Sequence, residues 1–251
     1  MNRPPFLNLY IYSDSLAFRR KQQSQDLAFV YSFVLKELIE SRLGIRANLV
    51  MRGNGGALVR TVHKTLLRDT GYFGDSADVL NIAVLQCGVV DCAPQPFTYA
   101  LAPLLRAVPY AGERVIAFLG KHRRALQSLW SYRAVTPQRF SRDYAQVIRT
   151  CRTAKLEPIA VGMPLPTAGI EHRSPGFRAS VAAYNERIRA ALPDRFCDIE
   201  SQIDEAERDH LLLEDGHHLT EAGHRLCAES IYRQVERIVN ERVSGTNVAP
   251  A

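Results

Sequence analysis

Short apolar runs rich in Val, Ile and Leu alternate along this chain with longer stretches whose apolar residues recur every three or four positions. Few folds satisfy both periods. The runs Phe6 to Tyr12, Ile45 to Met51, Val79 to Gln86, Pro158 to Met163 and Phe196 to Ile199 read as strands. The third is almost continuously apolar, as a strand covered on both faces must be. Helical spacing holds over Asp26 to Leu43, Ala57 to Arg68, Glu113 to Tyr132, Pro137 to Lys155, Ala179 to Leu192 and Thr220 to Glu241. Gly44 suits the C-terminal cap of the first, and Thr136-Pro137 the N-cap and first turn of the fourth. No internal repeat and no Gly-, Ser- or Pro-rich linker interrupts the pattern. Strand–helix alternation of this kind predicts an α/β fold: three α/β/α layers around a five-stranded parallel sheet, in one domain over residues 1–243 with a flexible tail over 244–251. Ligands of such sheets sit outside the carboxyl ends of the strands, and the unusual residues fall there.

Composition narrows the function classes. The chain has 251 residues, 46% of them hydrophobic and 23% charged, which sets aside disorder and collagen-like repeats. Its net charge of +6 is mild, and the basic runs Arg19-Arg20-Lys21 and Lys121-His122-Arg123-Arg124 read as solvated helix faces with no nucleic-acid motif beside them. No segment reaches the ~18 apolar residues of a membrane span. The N-terminal run leads straight into the site argued below, so it reads as a core strand and not as a leader. The 5 cysteines, Cys87, Cys92, Cys151, Cys197 and Cys227, are odd in number and scattered. They predict buried free thiols in a cytoplasmic protein and no disulfide framework.

Four strand-end segments carry candidate chemistry. Ser13-Asp14-Ser15-Leu16 follows the first strand, where a serine hydroxyl faces the crevice at a helix N-terminus; taken alone, such residues are usually caps. Arg52-Gly53-Asn54-Gly55-Gly56 follows the second. Its glycines free backbone N–H groups for an anion or oxyanion, without the spacing of a P-loop or G-x-G-x-x-G. Gly88-Val89-Val90-Asp91 follows the third. Before the last helix stands Asp215-Gly216-His217-His218-Leu219-Thr220, in which a carboxylate three residues ahead of an imidazole can hold its Nδ1–H and free the other nitrogen as a base. A metal cluster of His217, His218 and His224 is the competing reading. It is set aside because neighbouring histidines in one loop seldom point the same way and no third ligand is evident, so no metal and no cofactor is expected.

Together these segments resemble the SGNH, or GDSL-like, hydrolases, from Leu7 to about Ile231. Ser13-Asp14-Ser15-Leu16 is similar to their first block, with serine for the initial glycine. Gly53 matches the oxyanion-hole glycine of the second. Asp215, His218, Leu219, Thr220 and Gly223 match the DxxH block and the helix start after it. The resemblance implies a flavodoxin-like SGNH-hydrolase fold. It also implies Ser15 as nucleophile, His218 as base, Asp215 as its orienter, and the N–H groups of Ser15 and Gly53 as the oxyanion hole. The nucleophile elbow G-x-S-x-G of an α/β-hydrolase is absent. The third block departs from the pattern: Gly88 and Asp91 fit G-x-N-D, but Val90 stands where the family has asparagine. Valine has no side-chain donor, and one such donor is worth about 10²–10³ in turnover. Asn54 and Asn185 are candidates by type to replace it.

The expected function is therefore hydrolysis of a small or carbohydrate- or metabolite-linked acyl ester through an acyl-enzyme. Asn54 and Asp91 are the expected substrate-binding residues, and the only expected partner is a small-molecule substrate. The alternatives are an acyltransferase to a biosynthetic hydroxyl, or a catalytically weak binding module suggested by Val90. His217 is expected to point outward and His224 to be a packing or surface residue on the last helix. The apolar stretches between Pro94 and Arg133 are expected to form a lid or substrate wall.

Overall fold

In the computed structural model, residues 6–20, 23, 26–73, 79–95, 111–129 and 132–245 are described. Five parallel strands form one sheet: β1 (Phe6–Ser13), β2 (Arg46–Met51), β3 (Val79–Gln86), β4 (Glu157–Val161) and β5 (Phe196–Cys197). Their spatial order is β2-β1-β3-β4-β5. Between β1 and β3 the order reverses, which opens a crevice at the carboxyl ends of these two strands.

Period-two alternation divides the core between the two faces. Leu7, Leu9 and Ile11 of β1 join Leu80, Ile82 and Val84 of β3 on one face. There they pack on α1 (Tyr31–Leu38) and on the last helix, whose Cys227, Ile231 and Val235 are buried. Tyr12, Ala83 and Leu85 face the other way. They pack on α2 (Val59–Asp69), on Phe140, Tyr144 and Val147, and on Val181 and Tyr184 of a third helix. Such two-sided burial is the largest favourable term in folding. It explains why β3 matches its sequence reading residue for residue.

Among the described residues the remaining helices are α3 (Val89–Cys92), α4 (Ala111–Lys121), α5 (Arg123–Leu129), α6 (Pro137–Thr153), α7 (Ala168–Arg173), α8 (Phe177–Ala191), α9 (Arg208–Leu211) and α10 (Glu221–Gly245). Several boundaries differ from expectation. α1 begins only at Tyr31, because residues 26–30 form turns that leave Leu27 exposed, and it ends in a wider π-turn over Ile39–Leu43. The segment expected as one helix from Glu113 to Tyr132 breaks at His122 into α4 and α5, with the poor helix former Gly120 just ahead of the break. α10 runs to Gly245, two residues into the expected tail, and residues 246–251 lie outside the described ones. The expected lid segment is described only over 94–95, 111–129 and 132–133. There α5 lies against α7, and Arg124 Nη1 meets His172 Nε2 at 2.9 Å. All five cysteines are buried and free. No helix among the described residues is long and apolar enough to cross a membrane.

Candidate active site

Ser15 opens a single 3₁₀ turn, Ser15–Ala17, directly after β1. The turn is held by Asp14, which is wholly buried. One carboxylate oxygen of Asp14 accepts the N–H of Leu16 at 3.0 Å. The other accepts those of Gly88 and Val89 at 3.2 and 3.3 Å. Asp14 thereby fastens the Ser15 turn to the end of β3. Burial raises its pKa to about 6, against the pull of these three N–H donors. Capping is the usual role of such residues at a strand-end turn, and Asp14 caps this one, with the added bonds to the end of β3 that its sequence position does not reveal.

The second strand end approaches from the other side. The N–H of Asn54 donates to the Ser13 carbonyl at 3.1 Å and that of Arg52 to Ile11 at 2.8 Å, which extends the β1–β2 ladder past β2. Arg52 is fixed in turn by Asp69, which also accepts the Tyr12 hydroxyl. A Cβ at position 53 would stand 2.2 Å from the Phe18 ring and 2.6 Å from Ser13 Oγ, so any larger residue would have to displace both side chains. Among the described residues the backbone N–H groups of Ser15 and Gly53 donate to no protein acceptor.

A tight reversal between Leu212 and Leu219, closed by an antiparallel bridge, carries Asp215 and His218. Its turn needs Gly216, where φ is +81° and a Cβ would come 2.6 Å from Thr167 Oγ1. The Gly216 carbonyl accepts the Thr167 N–H at 2.9 Å, which ties the turn to the loop after β4. That loop is anchored by Arg208, whose guanidinium reaches the Leu165 carbonyl and the carboxylates of Glu200 and Glu205.

In this frame His218 Nδ1 stands 2.7 Å from Asp215 Oδ2, and His218 Nε2 stands 2.9 Å from Ser15 Oγ. The 203 residues that separate Ser15 from His218 in sequence are bridged by one hydrogen bond. The N–H of His218 also reaches Asp215 Oδ1 at 3.1 Å. Burial pushes the Asp215 carboxyl up. The bonds from His218 and the neighbouring imidazoles outweigh that, and its pKa falls well below the ordinary carboxylate range. A hydroxyl, an imidazole and a carboxylate joined in this order can pass a proton from the hydroxyl to the ring as the oxygen attacks an electrophile.

Other expected positions fall elsewhere. Asp91 does not face the crevice: it is wholly buried, and both of its oxygens lie within reach of the Val59 N–H, at 3.0 and 3.3 Å. Leu58, the N-cap of α2, offers no side-chain acceptor, and Asp91 supplies one from the end of β3. Burial raises the pKa of Asp91 to about 7. Asn54 is exposed on the loop after β2. Asn185 is engaged with both backbone groups of Met163, at 2.9 and 2.7 Å, and is not a free donor for an oxyanion. Val90 is half-buried on α3 and packs at the edge of the core.

His217 does not simply point outward. Its ring is half-buried, 4.1 Å from that of His218, with Nδ1 3.2 Å from the Asp215 carbonyl and its edge toward Phe177. Burial lowers its pKa to about 4. His224 is wholly buried between Phe29 and Tyr31, accepts the Tyr31 N–H at Nδ1, and is likewise lowered to about 4 by burial.

No family model and no curated protein matches the sequence. Solved structures do. A lipase/acylhydrolase from Enterococcus faecalis superposes with a TM-score of 0.61 at 15% identity, over 92% of this chain and 96% of that one. A lipolytic protein of the G-D-S-L family from Veillonella parvula gives 0.59 at 13%, over 92% and 99%. A catalytic mutant of an acetylxylan esterase from Geobacillus stearothermophilus gives 0.59 at 15%, over 91% and 93%. At such identities the likeness is one of architecture, and the chain has the fold of the SGNH, or GDSL-type, hydrolases.

Proposed function

We propose that this protein is a serine ester hydrolase acting on a small or carbohydrate- or metabolite-linked acyl ester. The unbroken contact Ser15 Oγ–His218 Nε2–His218 Nδ1–Asp215 Oδ2, at 2.9 and 2.7 Å, is the observation that carries this reading. His218 takes the Ser15 proton as Ser15 Oγ attacks the ester carbonyl. Asp215 holds the ring in the tautomer that leaves Nε2 free and steadies the imidazolium. The N–H groups of Ser15 and Gly53 receive the oxyanion. The imidazolium returns its proton to the leaving alcohol, and water, activated by the same nitrogen, releases the acid from Ser15. The triad is tested by hydrolysis of p-nitrophenyl acetate and butyrate. Ser15→Ala and His218→Ala each lower turnover by at least about 10³-fold, as expected for members of one relay. Turnover in Ser15→Ala within tenfold of the parent would sink the reading.

Val90 favours a second reading, in which the acyl group passes from the same Ser15 to a biosynthetic hydroxyl. With no side-chain donor at this position the oxyanion is held less well whichever nucleophile attacks, so transfer gains only where a bound acceptor hydroxyl is better placed than water. Acyl transfer to added sugars or glycerol, outpacing hydrolysis in a product assay, would favour it. Slow hydrolysis with no transfer would leave a weakly active binding protein.

A further inference from the structure

Two imidazoles converge on one carboxylate beside the Ser15 site, against the expectation that adjacent histidines diverge. His218 Nδ1 lies 2.7 Å from Asp215 Oδ2, and His217 Nδ1 lies 3.5 Å from Asp215 Oδ1. One ligand atom from each of the three side chains falls within 4.8 Å of the others. Two donor atoms of a tetrahedral zinc ion stand about 3.3 Å apart, given bonds of about 2.0–2.1 Å. The two separations from Asp215, each to a different carboxylate oxygen, lie on either side of that value, and a rotation of the His217 ring where it packs on His218 and Phe177 closes the remaining gap when an ion binds. Two imidazole nitrogens and one carboxylate oxygen are a donor set suited to zinc and to other late divalent transition metals, and they leave a fourth position for water.

The geometry points to a divalent transition-metal site formed by Asp215, His217 and His218, occupancy of which switches off the Ser15 centre. The ion would lie on the Nδ1 side of His218, away from Ser15, which meets Nε2. A neutral imidazole carries one proton. With the metal on Nδ1, that proton resides on Nε2. Nε2–H can donate to Ser15 Oγ but has no lone pair with which to take its proton. The metal also claims the carboxylate that otherwise holds Nδ1–H. Metal and general base are therefore mutually exclusive at one ring, and inhibition does not depend on substrate concentration. Binding rests on the three side chains alone; the loss of turnover rests on the hydrolase reading above.

The test uses the full chain with zinc chloride as the probe. Calorimetry is run on the parent, Ser15→Ala and His217→Ala, and p-nitrophenyl acetate turnover is followed in parallel. The parent and Ser15→Ala should each bind one equivalent. His217→Ala should bind at least about tenfold more weakly, since loss of even an outer-shell partner costs that much, while it keeps most of its turnover. Parent activity should fall in step with occupancy, lower kcat at unchanged KM, and return with EDTA. No stoichiometric binding, or equal binding by His217→Ala, overturns the site. One bound equivalent with turnover unchanged overturns the switch. Binding by Ser15→Ala, with a parent inactive on every ester, leaves the site standing and removes only the hydrolase reading.

Discussion

At Val90 an isopropyl group stands where the family that this chain resembles carries an amide, and the difference is testable by restoring it. Val90→Asn is expected to raise turnover on a small activated ester, by up to about 10²-fold if the loop holds the amide in place. Half-burial of the position exposes the variant to the cost of an unpaired amide, about 1–3 kcal/mol, so a melting curve accompanies the assay. A well-folded variant with no gain on several acyl lengths would count against a missing donor. At Asp14 the expectation is opposite. Its two oxygens accept three backbone N–H groups, and Asn would turn an NH₂ against at least one of them. Asp14→Asn should lose stability and turnover together; an unperturbed melting temperature and rate would contradict its role as a clamp. The structure brings together Ser15, Asp215 and His218, the residues that the resemblance singles out; a carboxylate and an imidazole three apart in one turn are a local signal, whereas a serine at a strand end is by itself usually a cap. The partners of Asp14, Asp91 and Asn185 lie 74, 32 and 22 residues away, and no spacing rule on one stretch of chain reveals such bonds.

Individual elements set the distances that the chemistry needs. The reversal bearing Asp215 and His218 turns on Gly216, whose positive φ and contact with Thr167 leave no room for a side chain. Gly216→Ala is expected to cost about 1–3 kcal/mol of strain and to displace His218 from Ser15. A variant with parental turnover and melting temperature would show that the turn tolerates a Cβ and that its geometry matters little. The strands were readable because burial on both faces leaves β3 nearly continuous in apolar residues. The one-turn helices α7 and α9 were not, since six or four residues carry no recognisable period. The cap of α2 is not legible for a related reason: its acceptor, Asp91, comes from another element, where a buried cap and a substrate ligand look alike in sequence.

For the molecule as a whole, the sheet order brings the ends of β1, β2 and β3 and the reversal before α10 to one crevice, so stability and site geometry share the same bonds. Buried titratable groups then give a pH signature. Asp91, raised from the ordinary carboxylate value to about 7, keeps a proton that the unfolded chain has released. Its contribution is therefore complete in acid and is lost as pH rises through about 7. His224, lowered to about 4, acts in the opposite sense: the unfolded chain takes up a proton that the folded one refuses, so stability falls as pH drops below the ordinary imidazole value. Asn at position 91 still offers an oxygen to the Val59 N–H but does not titrate. Relative to the parent, Asp91→Asn should be more stable at about pH 8 than at about pH 5, read from paired melting curves. A pH-independent difference would mean that Asp91 does not hold its proton on folding.

The proposed chemistry turns on activation of Ser15 as a nucleophile by His218. A fluorophosphonate probe reads this without knowledge of the substrate, because the phosphorus bonds only to an activated oxygen. After treatment of the full chain, mass spectrometry of the digest should find one adduct, on the peptide bearing Ser15, and no adduct on that peptide in His218→Ala. An unlabelled Ser15 in folded protein, or labelling that persists when His218 is removed, would contradict the account.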